Sequence, residues 1–345
     1  MPTDVVVPPR LARHQSPARS ESGQGRVLTV RDLGLTFSGG QGKVRPLRGV
    51  SFHAEAGRVL AILGESGSGK SLTLKSIMRV LPRNAARLEG SVNFNGRELL
   101  DASERTMREI RGDRIAMIYQ DPVAALDPIF TVGSQITETI RRHRKVSRAA
   151  AEATAIQLLD ELGIPSPAER MGAYPHEMSG GMCQRIMIAI ALACRPDLLL
   201  ADEPTSALDV TVQAQIVNIL RAFVNDSGAA LVVVTHDVGV AAELADDVAV
   251  MYAGQVVEFG PALAVLEHPR HPYTEALIAS NVTMETEGRL PAIRGAPPDG
   301  RSIPEGCVFR PRCPRAEARC EELPPNVRVL AGHRARCFRA AYDAV

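Results

Sequence analysis

The stretch Gly64-Glu65-Ser66-Gly67-Ser68-Gly69-Lys70-Ser71 limits what this chain can fold into more than any other. It has the form G-x-x-x-x-G-K-[ST], placed after the apolar run Val59–Leu63 and before the helix-like Leu72–Val80. A short continuous apolar run reads as a strand buried on both faces. Gly64, Gly67 and Gly69 let backbone N–H groups converge on phosphate oxygens, and the helix N-terminus adds its dipole and orphan donors. Lys70 is expected to reach the β- and γ-phosphates of a nucleotide, and the Ser71 hydroxyl to ligate Mg²⁺. Ser66, Ser68 and Leu72 complete the expected phosphate cradle. The bland alternative is a Gly-rich turn without a ligand, and the strand-then-helix context weighs against it.

Further buried strands are expected at Ile115–Tyr119, Leu198–Ala201 and Leu231–Val234, with helical patterns at Ala149–Leu162, Ile186–Cys194 and Val210–Val224 between them. Strands alternating with helices imply an α/β fold with a parallel sheet. Residues 1–26, rich in Pro, Arg, Ser and Gly without periodicity, read as a flexible N-terminal arm. Leu28-Thr29-Val30, Leu33–Phe37 and Val50-Ser51-Phe52 read as strands. After Glu258 the regular patterns fade, Pro and Arg rise, and four of the six cysteines gather.

Composition narrows the field. The 345 residues carry a net charge of +1, so no global basic field suggests nucleic acid. The longest uncharged apolar run, Ile186–Cys194, has nine residues, well short of the ~18–20 that span a bilayer. The N-terminus has no signal-peptide core, so a cytosolic chain is expected, and any membrane role needs a separate membrane partner.

The run Leu198–Ala201 ends in Asp202-Glu203-Pro204. Consecutive strand residues face opposite ways, so the two carboxylates can do different work. Asp202 is expected to hold Mg²⁺ and Glu203 to act as general base on the attacking water. A plain acidic pair at a strand end is the alternative, and the P-loop weighs against it.

Met178-Ser179-Gly180-Gly181-Met182 lies ahead of Asp202 and resembles the signature motif of ABC ATPases. Other parts follow in that family's order. Gln120 resembles the Q-loop glutamine, Ser206-Ala207-Leu208-Asp209 the D-loop and His236 the switch histidine, while Phe37 is the candidate to stack on adenine. The resemblance implies a P-loop ABC cassette: a RecA-like core with an antiparallel β subdomain and an α-helical subdomain. The cassette is placed at 27–260, with its helical part at about 121–180. It also implies that Ser179, Gly180, Gly181 and Asp209 serve ATP bound opposite, on a second cassette, and that Gln120 joins Ser71 and Asp202 around Mg²⁺. Ser179 suits an N-cap independently of the resemblance.

Tyr174-Pro175-His176-Glu177-Met178-Ser179-Gly180-Gly181-Met182, Met251-Tyr252-Ala253-Gly254, His271-Pro272-Tyr273-Thr274 and Pro304–Pro314 resemble the ATPase subunits of oligopeptide/dipeptide (and nickel) importers. Cys183 stands where such cassettes usually carry Arg. The resemblance implies ATP-powered import of di- or oligopeptides and a C-terminal extension at 261–345. The implied partners are a second, paralogous ATPase, two transmembrane permease subunits and, through these, an extracytoplasmic solute-binding protein. The chain would sit peripherally on the cytoplasmic face of the membrane. The alternative is a soluble ATPase with a metal-bearing tail that acts on nucleic acid. No sustained heptad run separates Gly64 from Ser179, unlike repair and chromosome cassettes.

Cys307, Cys313, Cys320 and Cys337 have the spacing C-x5-C-x6-C-x16-C. Four thiolates can ligate a 4Fe–4S cluster or Zn²⁺, and the absence of C-x2-C pairs tilts the expectation toward iron–sulfur. The same segment, 294–345, carries ten Arg against six acids. With so little apolar periodicity it is expected to need a metal in order to fold. Cys183 and Cys194 lie on the apolar helix pattern and are expected in the core.

Overall fold

A computed structural model describes residues 25–39, 42–82, 86–206, 208–280, 293–298, 300–301, 303–330 and 332–340. The expected arm lies almost wholly outside these residues, as does Ala207. Two sheets form the frame. The smaller is antiparallel, in the order β2 (Gly42–Glu55), β1 (Arg26–Gly39), β4 (Ala86–Phe94), β5 (Arg97–Glu98). The larger has eight strands. Its parallel part is β9 (Asp247–Tyr252), β3 (Val59–Leu63), β8 (Ala230–Val234), β7 (Leu198–Asp202) and β6 (Ile115–Ile118). Antiparallel β10 (Gln255–Pro261), β12 (His333–Ala335) and β11 (Val327–Leu330) extend it past β9.

Strand β3 shows why the sheet is buried on both faces. Val59, Ala61 and Leu63 enter one core cluster and Leu60 and Ile62 the other, as a period of two demands. The first cluster holds the helices α4 (Val132–His143), α5 (Arg148–Glu161) and α7 (Gly180–Leu192); the second holds α1 (Lys70–Met78) and the antiparallel sheet. Each of α4, α5 and α7 starts on a hydroxyl N-cap, Thr131, Ser147 and Ser179. The remaining helices are α2 (Glu104–Ile110), α3 (Pro122–Ala125), α6 (Pro167–Arg170), α8 (Val210–Ser227), α9 (Val238–Leu244), α10 (Ala262–Glu267) and α11 (Pro272–Ala279). Among the described residues no helix is long and apolar enough to cross a membrane. Cys183 and Cys194 are buried on and just beyond α7.

The C-terminal part has an aromatic core. Phe309 is fully buried against Tyr252 and Tyr273, with ring centroids 5.2 and 5.4 Å away, and β11–β12 pairs directly with β10. Three aromatic rings and a sheet edge supply what apolar periodicity did not announce.

Candidate active site

Because β3, β6, β7 and β8 run parallel, their C-terminal ends open on one side, and the expected residues meet there. The loop after β3 requires its glycines. Gly64 has φ +152°, and a Cβ there would stand 2.2 Å from the Met251 carbonyl oxygen. Gly69, at φ +102°, is the N-cap of α1 and leaves the helix's first N–H groups without a side-chain cap. Lys70 is buried, and its Nζ donates to the Gly64 and Glu65 carbonyls at 2.7 and 3.1 Å. Burial lowers its pKa, opposed by Glu203, Asp202 and Glu65. Ser68 Oγ is buried with no hydrogen-bond partner. An orphaned donor, a cation held only by carbonyls and an uncapped helix N-terminus fit a bound phosphate chain.

Ser71 Oγ donates to Asp202 Oδ1 at 2.7 Å, joining α1 to the end of β7. Burial raises the Asp202 pKa, opposed by the Ser71 hydrogen bond. A hydroxyl and a buried carboxylate in contact are a donor set of the hard-oxygen type that Mg²⁺ takes. Glu203 leaves the strand at φ +48°, a left-handed conformation that turns its side chain out of the ladder. His236 Nδ1 lies 3.3 Å from Glu203 Oε1, and Gln120 Nε2 lies 3.4 Å from Glu203 Oε2. Gln120, Glu203 and His236 therefore form one constellation. The Gln120 atom that faces Glu203 is its amide nitrogen, not the oxygen that Mg²⁺ would use.

Ser179 is the N-cap of α7 and accepts from Met182 N at 3.3 Å; Ser179 and Gly180 are exposed. Asp209 is likewise the N-cap of α8, accepting from Val212 N at 2.9 Å, and is exposed. Phe37 is half-buried on β1, opposite Val44 and Ala86, and packs on the core under the antiparallel sheet. Three contributors carried no role in the sequence reading. Gln184 Nε2 donates to the Pro204 carbonyl at 2.8 Å and so ties α7 to the Glu203 turn. Tyr273 Oη accepts from Glu65 N at 2.8 Å, and Arg312 pairs with the Glu65 carboxylate at 2.6 and 3.0 Å. Tyr273, Glu65 and Arg312 all lay in quoted motifs, but nothing local signalled that they meet.

Cys307, Cys313, Cys320 and Cys337 line a single cavity with His271, Phe309 and Phe338. Burial raises the thiol pKa values of Cys307, Cys313 and Cys337. Among the described residues, however, no three His, Cys, Asp or Glu stand close enough to hold one metal ion. Four sulfurs about 2.3 Å from a zinc ion would have to be nearly in contact with one another. The expected zinc set is thus not assembled, and no iron–sulfur site is evident either.

Comparison with known proteins matches residues 47–206 to the ABC transporter family and residues 257–320 to the oligopeptide/dipeptide transporter C-terminal region. The oligopeptide transport ATP-binding protein OppD of Bacillus subtilis is 45% identical over 92% of this chain and 90% of its own length. The dipeptide transport ATP-binding protein DppD of Escherichia coli is 43% identical over 92% of this chain and 98% of its own. Among solved structures, the dimeric post-hydrolysis state of the cassette MJ0796 bound to ADP and Pi matches with a TM-score of 0.62 and 26% identity, over 68% of this chain and 98% of that one. Nothing in these likenesses supports the nucleic-acid alternative. With this identity spread over nearly its whole length, the chain belongs to the ABC transporter ATPases, in the branch of the oligopeptide and dipeptide transport ATP-binding proteins.

Proposed function

We propose that this chain is the ATP-hydrolysing subunit that powers import of di- or oligopeptides through separate membrane permease subunits. The observation that carries the chemistry is the meeting of Gln120, Glu203 and His236 beside the Ser71–Asp202 pair. The relatives named for oligopeptide and dipeptide transport support the solute class. Phe37 packs the adenine, and Gly64, Ser66, Gly67, Ser68, Gly69, Lys70, Ser71 and Leu72 cradle the phosphates. Ser71 and Asp202 would hold Mg²⁺, which would supply neutralisation of phosphate charge when bound. Glu203 accepts a proton as water attacks the γ-phosphorus and the bond to the β–γ bridging oxygen breaks. His236 and Gln120 steady Glu203.

Ser179, Gly180, Gly181 and Asp209 serve the nucleotide of a second, paralogous cassette, which fits the exposure of Ser179, Gly180 and Asp209 in the single chain. The cassette occupies 27–260, with its helical part at about 121–180, after an arm at 1–26. The extension at 261–345 follows. Ile129 and Phe130, 73% and 49% exposed just after Gln120, offer apolar surface to a permease subunit at the cytoplasmic face. The four thiols around one cavity are assigned to a 4Fe–4S cluster, whose ligands stand further apart than those of one ion.

Affinity purification of the intact complex from detergent-solubilised membranes tests the assignment. The expected result is two co-purifying permease subunits, hydrolysis stimulated by peptide-loaded solute-binding protein, and iron and acid-labile sulfide at about four per chain. Co-purified RNA or DNA with a steep salt dependence, and no permease, would overturn the transport reading. Zinc at about one per chain, or four freely titrating thiols, would remove the cluster.

A further inference from the structure

Glu65 is an odd residue to find in a phosphate cradle. It is the second residue of the loop, and an unpaired carboxylate there repels the polyphosphate that the glycines, Lys70 and the α1 N-terminus are arranged to attract. Its N–H and its carboxylate are both held from the far end of the chain. Its N–H donates to Tyr273 Oη on α11 at 2.8 Å. Its two carboxylate oxygens accept from the two terminal nitrogens of Arg312, at 2.6 and 3.0 Å. This is a fork-to-fork pair, the geometry in which Arg binds carboxylate most specifically.

Arg312 is itself locked. Its side chain is only 5% exposed. Nε donates to the Arg294 carbonyl at 2.8 Å, one terminal nitrogen also reaches Tyr252 Oη at 3.3 Å, and the guanidinium lies 5.7 Å from the Tyr252 ring centroid. A guanidinium fixed at every nitrogen cannot follow Glu65 if the loop moves, so the loop is drawn to the guanidinium.

We propose that Arg312 is a positioning residue of the nucleotide site, cancelling the Glu65 charge and holding that carboxylate out of the phosphate cradle. Tyr273 does the same for the Glu65 backbone. The C-terminal segment is then part of the nucleotide site's construction, from 247 residues away in sequence. Arg312 directly precedes Cys313, and Phe309 touches Tyr252 and Tyr273 on one side and the thiol cavity on the other. The inference holds whatever fills that cavity; it needs only ATP binding at the P-loop.

The test is Mg–ATP affinity and steady-state hydrolysis of the intact complex carrying Arg312→Ala, alone and in a Glu65→Gln background. Arg312→Ala is expected to raise Kd and KM about tenfold with a much smaller change in kcat, because the loss is in binding. The deficit should shrink as salt rises. In the Glu65→Gln background the same substitution should cost less than about twofold, since no charge is left to cancel. Arg312→Met, which keeps the buried bulk, serves the same comparison if the alanine variant does not fold. Wild-type affinity in the Arg312 variants, or an equal loss in both backgrounds, would overturn the proposal; general destabilisation would not be rescued by Glu65→Gln.

Discussion

The strand-end cradle and the thiol cavity behind it are prepared in opposite ways. In the cradle Lys70 rests on two carbonyls, Ser71 on Asp202, and Glu203 on Gln120 and His236. A polyphosphate with its metal ion can take over these partners without leaving a buried charge stranded. The cavity is walled by Phe309, Phe338 and Pro272, and burial pushes three of its four thiols toward the neutral form. The first site is prepared for a ligand that comes and goes; the second is a thiol-lined pocket in the C-terminal part. Arg312, one residue from Cys313 and in contact with Glu65, is where the two touch.

The comparison is broken most strongly at the signature. Ser179→Arg places a bulky cation where the facing nucleotide must close, and hydrolysis in the assembled complex should fall by at least about 10²-fold. ATP affinity of the isolated subunit should remain, since Ser179 is not among the Lys70 contacts. An affinity loss as large as that of Lys70→Ala would contradict the trans role.

The cavity offers the next largest effect. Cys313→Ser with Cys320→Ser should abolish bound iron while kcat changes by less than about twofold, because the thiols touch no group of the Glu203 constellation. A collapse of kcat with a folded chain would merge the two regions into one.

The opposite end of β3 gives the smallest effect and sharpens the comparison as a control. Asp246 accepts from Val59 N at 2.8 Å and pairs with both terminal nitrogens of Arg221, at 2.8 and 3.0 Å. Burial raises its pKa, but the Arg221 and Val59 hydrogen bonds outweigh burial, and the net shift is below the ordinary 3.8. A folded-state pKa below the unfolded one means a contribution present above about pH 4 and lost as pH falls further. Asp246→Asn should therefore cost about 1 kcal/mol at pH 7, limited by solvent screening, and progressively less in acid. Denaturant unfolding at both pH values checks it; a cost that grows in acid would reverse the sign.

What could be read from the sequence follows the range over which each part is spelled. The P-loop, the Asp202-Glu203 strand end and the Ser179 cap are local, so residue type and order announce them. Their meeting is a consequence of parallel strands, which bring Ser71 to Asp202 across 131 residues. The Glu65–Arg312 pair and the aromatic packing of Phe309 join residues of quoted motifs whose long-range pairing no local pattern spells, and in the C-terminal part the absence of periodicity looked like the absence of a core. The exposed amide nitrogen of Gln120 reaches Glu203, an orientation no spacing specifies.

The central claim is that Glu203 separates hydrolysis from binding, and Glu203→Gln tests it most directly. ATP binding and single-turnover hydrolysis should be measured together on the assembled complex. The account predicts that ATP binds with near wild-type affinity, that cleavage slows by about 10²–10⁴-fold, and that the two cassettes accumulate in an ATP-bound closed pair. Cleavage at a near wild-type rate would contradict it.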